Sequence, residues 1–173
     1  MRRALAALLL ALPLWCLAGE DPPVEIPITG SLGGAWWDPE RAGEGVTVDV
    51  ARTDDGRTVL FIAWFTYLDG GQQWIAGNVD LTDGATVAVL PLVRGTGAQF
   101  GAAFDPADVT LAPWGEATVR FFSCRELVID YTGPDDISGL LVLQRLVGLP
   151  AGVACGGVPP SALLSPGPWA LSP

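Results

Sequence analysis

Residues 58–67 read TVLFIAWFTY, and this run of β-branched and aromatic residues predicts the longest strand of the chain. The Asp-Gly-Gly sequence at 69–71 follows it, and such a sequence is typical of a tight turn. No segment between residues 28 and 155 combines helix-capping residues with apolar residues at helical spacing. The chain therefore predicts an all-β domain around this strand.

Similar short segments lie on both sides of this strand, separated by turn residues. In residues 46–51, three valines alternate with Thr47, Asp49 and Ala51, as in a half-buried strand. Eight strands are predicted in all, at 46–51, 58–67, 72–80, 85–94, 108–112, 116–122, 126–131 and 139–146. The mostly short connections favour a single antiparallel meander. Eight strands can close into a small barrel that has no exposed edge, which is the predicted architecture, although a two-sheet β-sandwich fits the same pattern.

Strand 58–67 has two apolar faces, whereas a barrel strand with a solvated exterior should alternate between apolar and polar residues. Phe61 and Phe65 lie on one face, and Ile62 and Trp64 lie on the other. Soluble monomers rarely expose large apolar patches. We therefore expect the N-terminal segment to cover the second face, with an exposed apolar patch as the alternative.

The first residues have the layout of a secretory signal peptide. Arg2 and Arg3 precede an apolar run at 4–14, and Cys16-Leu17-Ala18 is a small-residue exit. The run is shorter than the roughly 20 residues that a membrane-spanning helix needs. We predict that residues 1–18 are removed and that the protein is secreted or periplasmic.

The cysteine count follows from this cleavage. Cys16 leaves with the signal peptide, so the mature chain keeps Cys124 and Cys155. Two cysteines in an oxidising compartment usually pair, which predicts a Cys124–Cys155 disulfide. A reactive thiol or a metal ligand is the alternative, but the chain has no His and no spacing typical of a zinc site. We expect no metal and no cofactor.

The mature chain is organised as one domain at 28–155. A Pro-rich segment at 19–27 precedes it, and a tail at 156–173, dense in Pro, Gly and Ser, is predicted to be disordered. After cleavage, seven Arg stand against nineteen Asp plus Glu, a formal net charge of −12. Such a surface repels phosphate backbones, so a nucleic-acid partner is not expected. We expect a monomer without a membrane span.

Two aromatic motifs carry a family resemblance. Residues 36–45 read WWDPERAGEG, and residues 61–67 read FIAWFTY. With Phe-Asp-Pro at 104–106 and Arg-Leu at 145–146, they resemble a secreted β-domain of gammaproteobacteria such as Lysobacter, which reads W-W-x-P-x-x-S-G-x-G and then F-x-x-W-F-x-Y. The resemblance implies a secreted β-domain and supports the predicted disulfide, but it implies no activity and no catalytic residues. Ala42 stands where that motif usually has Ser.

Residues for catalysis are largely lacking. Without His, the chain cannot form a Ser-His-Asp or Cys-His site. A glycosidase needs two carboxylates facing one cleft, and the candidates Glu44, Glu116 and Glu126 lie in turns or at strand edges, where solvated acids are expected. We predict no catalytic residue, and we therefore predict that the protein is not an enzyme.

Aromatic side chains are the candidates for binding, because sugar rings stack on them and they are common anchors in protein interfaces. The predicted residues are Trp36, Trp37, Trp64, Tyr67 and Trp74. Trp36 and Trp37 are foremost because they precede the first predicted strand, beside flexible glycines, and an extended backbone turns only one of two adjacent rings inward. The alternative is that these tryptophans only build the fold.

The predicted function is therefore a secreted, non-catalytic module that binds a carbohydrate or a protein at the cell surface. A carrier barrel for a small apolar ligand and a protease-inhibitor-like domain are the alternatives. The contents of the barrel interior distinguish a binding module from a carrier. Filling by Phe61, Phe65, Trp74 and Phe121 leaves no room for a ligand, whereas a large enclosed void favours the carrier.

Overall fold

The computed structural model describes residues 23–157, which form one closed antiparallel barrel. Its strands are β1 Gly34–Trp37, β2 Gly45–Arg52, β3 Thr58–Leu68, β4 Gly71–Leu81, β5 Val87–Thr96, β6 Thr110–Ser123, β7 Glu126–Thr132 and β8 Ser138–Arg145. Neighbours in the chain are neighbours in the sheet, and β1 closes the barrel by pairing with β8. The predicted all-β, eight-stranded meander barrel is confirmed, and the sandwich is not formed. The predicted signal peptide at 1–18 and nearly all of the predicted tail at 156–173 lie outside the described residues.

Two of the eight strands differ from the prediction. The four-residue strand β1 was not predicted, so Trp36 and Trp37 lie within the first strand and not before it. The predicted strands 108–112 and 116–122 are one continuous strand, β6. A β-bulge interrupts its pairing with β5, because Leu92 pairs with Gly115 and Val93 pairs with Pro113, which leaves Trp114 unpaired.

Inward-facing side chains fill the barrel. Trp36 is 1% exposed and packs edge-on against the fully buried Phe121, with ring centroids 5.4 Å apart. Aliphatic side chains surround this pair, among them Leu60, Ile62, Leu90, Val119, Leu127 and Leu143. Of the four residues considered as possible fillers of the interior, only Phe121 lies inside, since Phe61, Phe65 and Trp74 point outward.

The N-terminal segment closes the end of the barrel at which β1 begins. Ile28 and Leu32 are buried there, the latter in a short 3-10 turn at Gly30–Leu32. The backbone N–H of Ile26 donates to the carbonyl of Phe121, and that of Ile28 to the carbonyl of Ala85. We call the end of the barrel at which β1 begins the closed end. The described part of the segment therefore does not cover the outer face of β3, and that expectation is wrong.

The predicted disulfide also lies at the closed end. Cys124 and Cys155 are bonded, with Cα atoms 5.7 Å apart. Beside them, Arg145 donates hydrogen bonds of 2.8 Å to the carbonyls of Ser31, Gly33 and Cys124. Burial lowers the pKa of this guanidinium. One cation thus joins the start of β1, the end of β8 and the turn between β6 and β7.

Candidate functional site

The opposite end of the barrel, which we call the open end, is polar inside. Along β3 the inward positions run from Leu60 and Ile62 to Trp64 and then to Thr66. At the same end of the barrel, Gln73 near the start of β4 and Arg94 near the end of β5 point inward. These side chains border a cavity of about 180 Å³, which we call the cup.

An aromatic cluster forms the floor of the cup. Trp64 meets Tyr131 with ring centroids 4.8 Å apart at 61°, and it meets Trp114 at 5.7 Å and 85°. These are edge-to-face contacts, the arrangement that ring quadrupoles favour. Trp64 and Trp114 are 4% and 7% exposed, so this floor is largely closed to solvent.

Trp114 carries an unsatisfied donor. Its Nε1 is buried and has no hydrogen-bond partner among the described residues. An orphaned donor of this kind costs about 1–3 kcal/mol. The bulge in β6 turns the ring inward, and Gly133 makes room for it, since a Cβ there would lie only 2.9 Å from the indole.

Glu44 forms one side of the cup, and both of its carboxylate oxygens have partners. Its Oε1 accepts hydrogen bonds of 2.9 Å from Trp64 Nε1 and from Thr66 Oγ1, and its Oε2 pairs with Arg41. The side chain is 11% exposed. The expectation of a solvated acid is therefore wrong for Glu44, although Glu116 and Glu126 are exposed as expected.

Arg94 is the cation of the cup. It is half-buried, and no ion pair or hydrogen bond joins its guanidinium to another described residue. By contrast, Arg41, Arg57 and Arg120 each pair with a carboxylate. An inward-pointing Arg at the end of a strand of buried leucines is a departure from the barrel pattern.

Next to the cup, the outside of the barrel carries exposed aromatic rings. Phe61, Phe65 and Tyr67 on β3 are 41%, 45% and 55% exposed, and Trp74 on β4 is 49% exposed. Phe65 and Trp74 are directly opposite each other in the sheet. We call these four side chains the aromatic face. The second apolar face of β3 is therefore an exposed patch, which was the alternative predicted from the sequence.

The strand beside Trp74 is shaped to hold its ring. Gly95 on β5 lies under the indole, and a Cβ at that position would come within 3.1 Å of Trp74 Cζ2. A glycine in a strand often marks such a close approach. The indole is therefore supported by the sheet on one side and open to solvent on the other.

The structure separates the residues predicted for binding. Trp36 lies in the core, and Trp37 is half-buried on the outside of β1. Trp64 belongs to the floor of the cup, and Trp74 belongs to the aromatic face. Tyr67 borders the cup and is also part of the aromatic face. A binding role for Trp37, Tyr67 and Trp74 remains a prediction, while Trp36 and Trp64 present almost no ring surface to solvent.

Sequence reasoning missed several residues of the open end. Arg94 continues the inward series of Ala88, Leu90 and Leu92, so the period of β5 could have placed it inside. The predicted strands 108–112 and 116–122 leave Trp114 between them, because Pro113 and Gly115 flank it. Pro-Trp-Gly inside a strand is also the pattern of a bulge, and that signal was available.

Residues 23–157 contain no group of three or more His, Cys, Asp or Glu side chains arranged to hold a metal ion. No helix in this part of the chain is long and apolar enough to span a bilayer. No protein-family model, curated protein or solved structure matches the chain.

Proposed function

We propose that this protein is an exported, non-catalytic carbohydrate-binding module that stacks sugar rings on the aromatic face. One observation carries the proposal: four half-exposed aromatic side chains lie together on the outer surface of β3 and β4. Soluble domains rarely leave such patches uncovered unless the patch binds something. The Cys124–Cys155 bond and the signal-like first residues support export.

The spacing of the rings suits an extended ligand. At about 3.3 Å per strand residue, Phe61 and Phe65 are about 13 Å apart, and Tyr67 lies about 7 Å further along. Phe61, Phe65 and Tyr67 thus form a row along β3, with Trp74 beside Phe65 on β4. A row on a closed barrel is preorganised, so binding loses little conformational entropy of the protein.

Polar side chains flank this row. Asp49 and Asn78 lie opposite Phe61 on the two neighbouring strands, and Gln72 lies opposite Tyr67. Sugars present an apolar ring face and hydroxyl groups at the ring edge. Rings with amide and carboxylate neighbours match that chemistry better than a uniformly apolar surface does.

Two further features favour binding over the alternatives. The barrel interior is filled by side chains such as Trp36 and Phe121, which argues against a carrier of an apolar ligand. Glu44 is the carboxylate that borders the cup, and both of its oxygens are engaged. A two-carboxylate hydrolase site would need a second acid beside it.

The test measures binding of the mature protein, residues 19–173, to chitin, cellulose, xylan, alginate and peptidoglycan sacculi. We expect binding to at least one polymer, and we expect Trp74→Ala to weaken it at least tenfold. Leu140→Ala is the matched control, because Leu140 is an exposed apolar residue on β8, across the barrel. The control should bind like the parent.

Three outcomes would overturn the proposal. The first is the absence of binding to every polymer in the panel, and the second is binding that Trp74→Ala leaves unchanged. The third is sedimentation of the parent as a dimer that Trp74→Ala dissociates. In that case the aromatic face is an interface between two copies of the chain.

A further inference from the structure

The cup contains a cation that lacks an anionic partner. The guanidinium of Arg94 is half-buried and has no carboxylate partner among the described residues. Trp114 borders the same cavity, but its unpaired Nε1 is fully buried and does not face the space that a ligand would occupy. Arg94 is therefore the donor through which the cup can bind an acceptor on a ligand.

The charges around the cup favour an anionic acceptor. Glu44 borders the cavity, but Arg41 pairs with it and neutralises its charge. Arg94 is left as the uncompensated charge of the cavity wall. The chain is acidic overall, but acids in the exposed loops at this end are screened over about 8 Å at physiological ionic strength. The charge of Arg94, which a ligand in the cup contacts directly, therefore outweighs the screened acids and favours an anionic ligand.

The size and floor of the cup restrict the ligand further. Its volume of about 180 Å³ is below the roughly 300–1,000 Å³ of pockets for drug-sized molecules, so it accepts one ring and not an oligomer. Trp64, Trp114 and Tyr131 provide an apolar floor. Thr66 and Gln73 lie on the wall, where hydroxyl and amide groups can meet ring hydroxyls.

We propose that the cup binds a single ring that carries a carboxylate, supplied by the terminal uronate of an acidic polysaccharide. Arg94 pairs with the carboxylate, as guanidinium groups do in a planar, bidentate geometry. The sugar ring contacts Tyr131, which is half-buried and is the most accessible ring of the floor. This inference rests on the proposed function in taking the ligand to be a carbohydrate, but it concerns the cup, which shares only Tyr67 with the aromatic face.

The test is a titration of the ¹⁵N-labelled mature protein with D-glucuronate and D-galacturonate, compared with D-glucose and benzoate. We expect the uronates to shift resonances of the open end and to bind at least tenfold more tightly than glucose. Benzoate separates an arene carboxylate from an acidic sugar and should bind more weakly than the uronates.

Variants identify the residue that holds the carboxylate. Arg94→Gln should weaken uronate binding at least tenfold, and Arg94→Lys should retain part of it. Arg125→Gln is the matched control, because it removes the same charge at the closed end, where Arg125 is exposed. This control should leave uronate binding unchanged.

The inference is overturned if neither uronate binds, if Arg94→Gln binds uronates like the parent, or if benzoate binds as tightly as the uronates. Failure here is distinct from failure of the proposed function. Arg94→Gln still carries Trp74 and the aromatic face, so its binding to neutral polymers such as chitin and cellulose reports on that face alone.

Discussion

Trp64 Nε1 donates a hydrogen bond of 2.9 Å to Glu44 Oε1, and this contact ties the loop before β2 to the floor of the cup. The same oxygen accepts from Thr66, and the other oxygen pairs with Arg41. A carboxylate with three donors positions the loop and keeps the indole N–H satisfied. Stability and the shape of the open end therefore depend on one acid.

Replacing Glu44 should separate these roles. We expect Glu44→Ala to lower the free energy of unfolding by about 2–3 kcal/mol, because the indole N–H of Trp64 and the hydroxyl of Thr66 lose a charged acceptor. Glu44→Gln should lose less, since its amide oxygen still accepts. Urea denaturation of both variants checks this order. Equal stability of the alanine variant and the parent would contradict it.

Tryptophans on the two sides of the sheet should differ in their contribution to stability. Trp64→Ala removes a ring that is 4% exposed and should destabilise the fold by about 3–5 kcal/mol. Trp74→Ala removes a ring that is 49% exposed and should change stability by less than about 1 kcal/mol. Thermal and urea unfolding of both variants measure the difference. Comparable losses would show that Trp74 supports the fold as well.

The sequence predicted the architecture because each strand is a local pattern bounded by turn residues, as residues 58–67 and the following Asp-Gly-Gly show. It could not decide which face of β3 is inside, because both faces are apolar. Register decides this, and the register depends on pairing with Val46 and Val48 of β2. β1 was missed because a four-residue strand that itself begins with a glycine carries no clear alternation.

The candidate site was predicted less well, for a physical reason. Aromatic residues were identified as a set, but only the barrel geometry separates Trp36 in the core from Trp74 outside. The cup is assembled from single residues on several strands, such as Glu44, Arg94 and Trp114. Residues so distant in the chain show no common motif, since closure of the barrel alone brings them together.

Arg145 should be more important for stability than other surface arginines. Its three hydrogen bonds to backbone carbonyls join three segments at the closed end, so we expect Arg145→Met to destabilise the fold by about 2–4 kcal/mol. Arg125→Met, at an exposed position nearby, should change stability by less than about 0.5 kcal/mol. Denaturant unfolding compares the two. A loss below 1 kcal/mol for Arg145→Met would show that the carbonyls find other donors.

Removing the disulfide should weaken the closed end. The bond closes a loop with a sequence separation of 31 residues, which corresponds to about 3–4 kcal/mol in the chain-entropy model. We expect the double variant Cys124→Ser, Cys155→Ser to lose about this much in urea denaturation at neutral pH. Mass mapping of the parent protein without reductant checks the pairing itself. Two free thiols in that experiment would refute the bond.

The most direct test of carbohydrate binding by the aromatic face is to locate the bound polysaccharide by NMR. The labelled protein is titrated with soluble oligomers of the polymer that binds best, and shifted backbone amides are placed on the barrel. We predict shifts around Ala63, which lies between Phe61 and Phe65 on β3, and around Ala76, which is its partner on β4. We predict none around Val128 and Val142 on β7 and β8. Shifts confined to β7, β8 or the closed end would contradict the claim that the aromatic face binds carbohydrate.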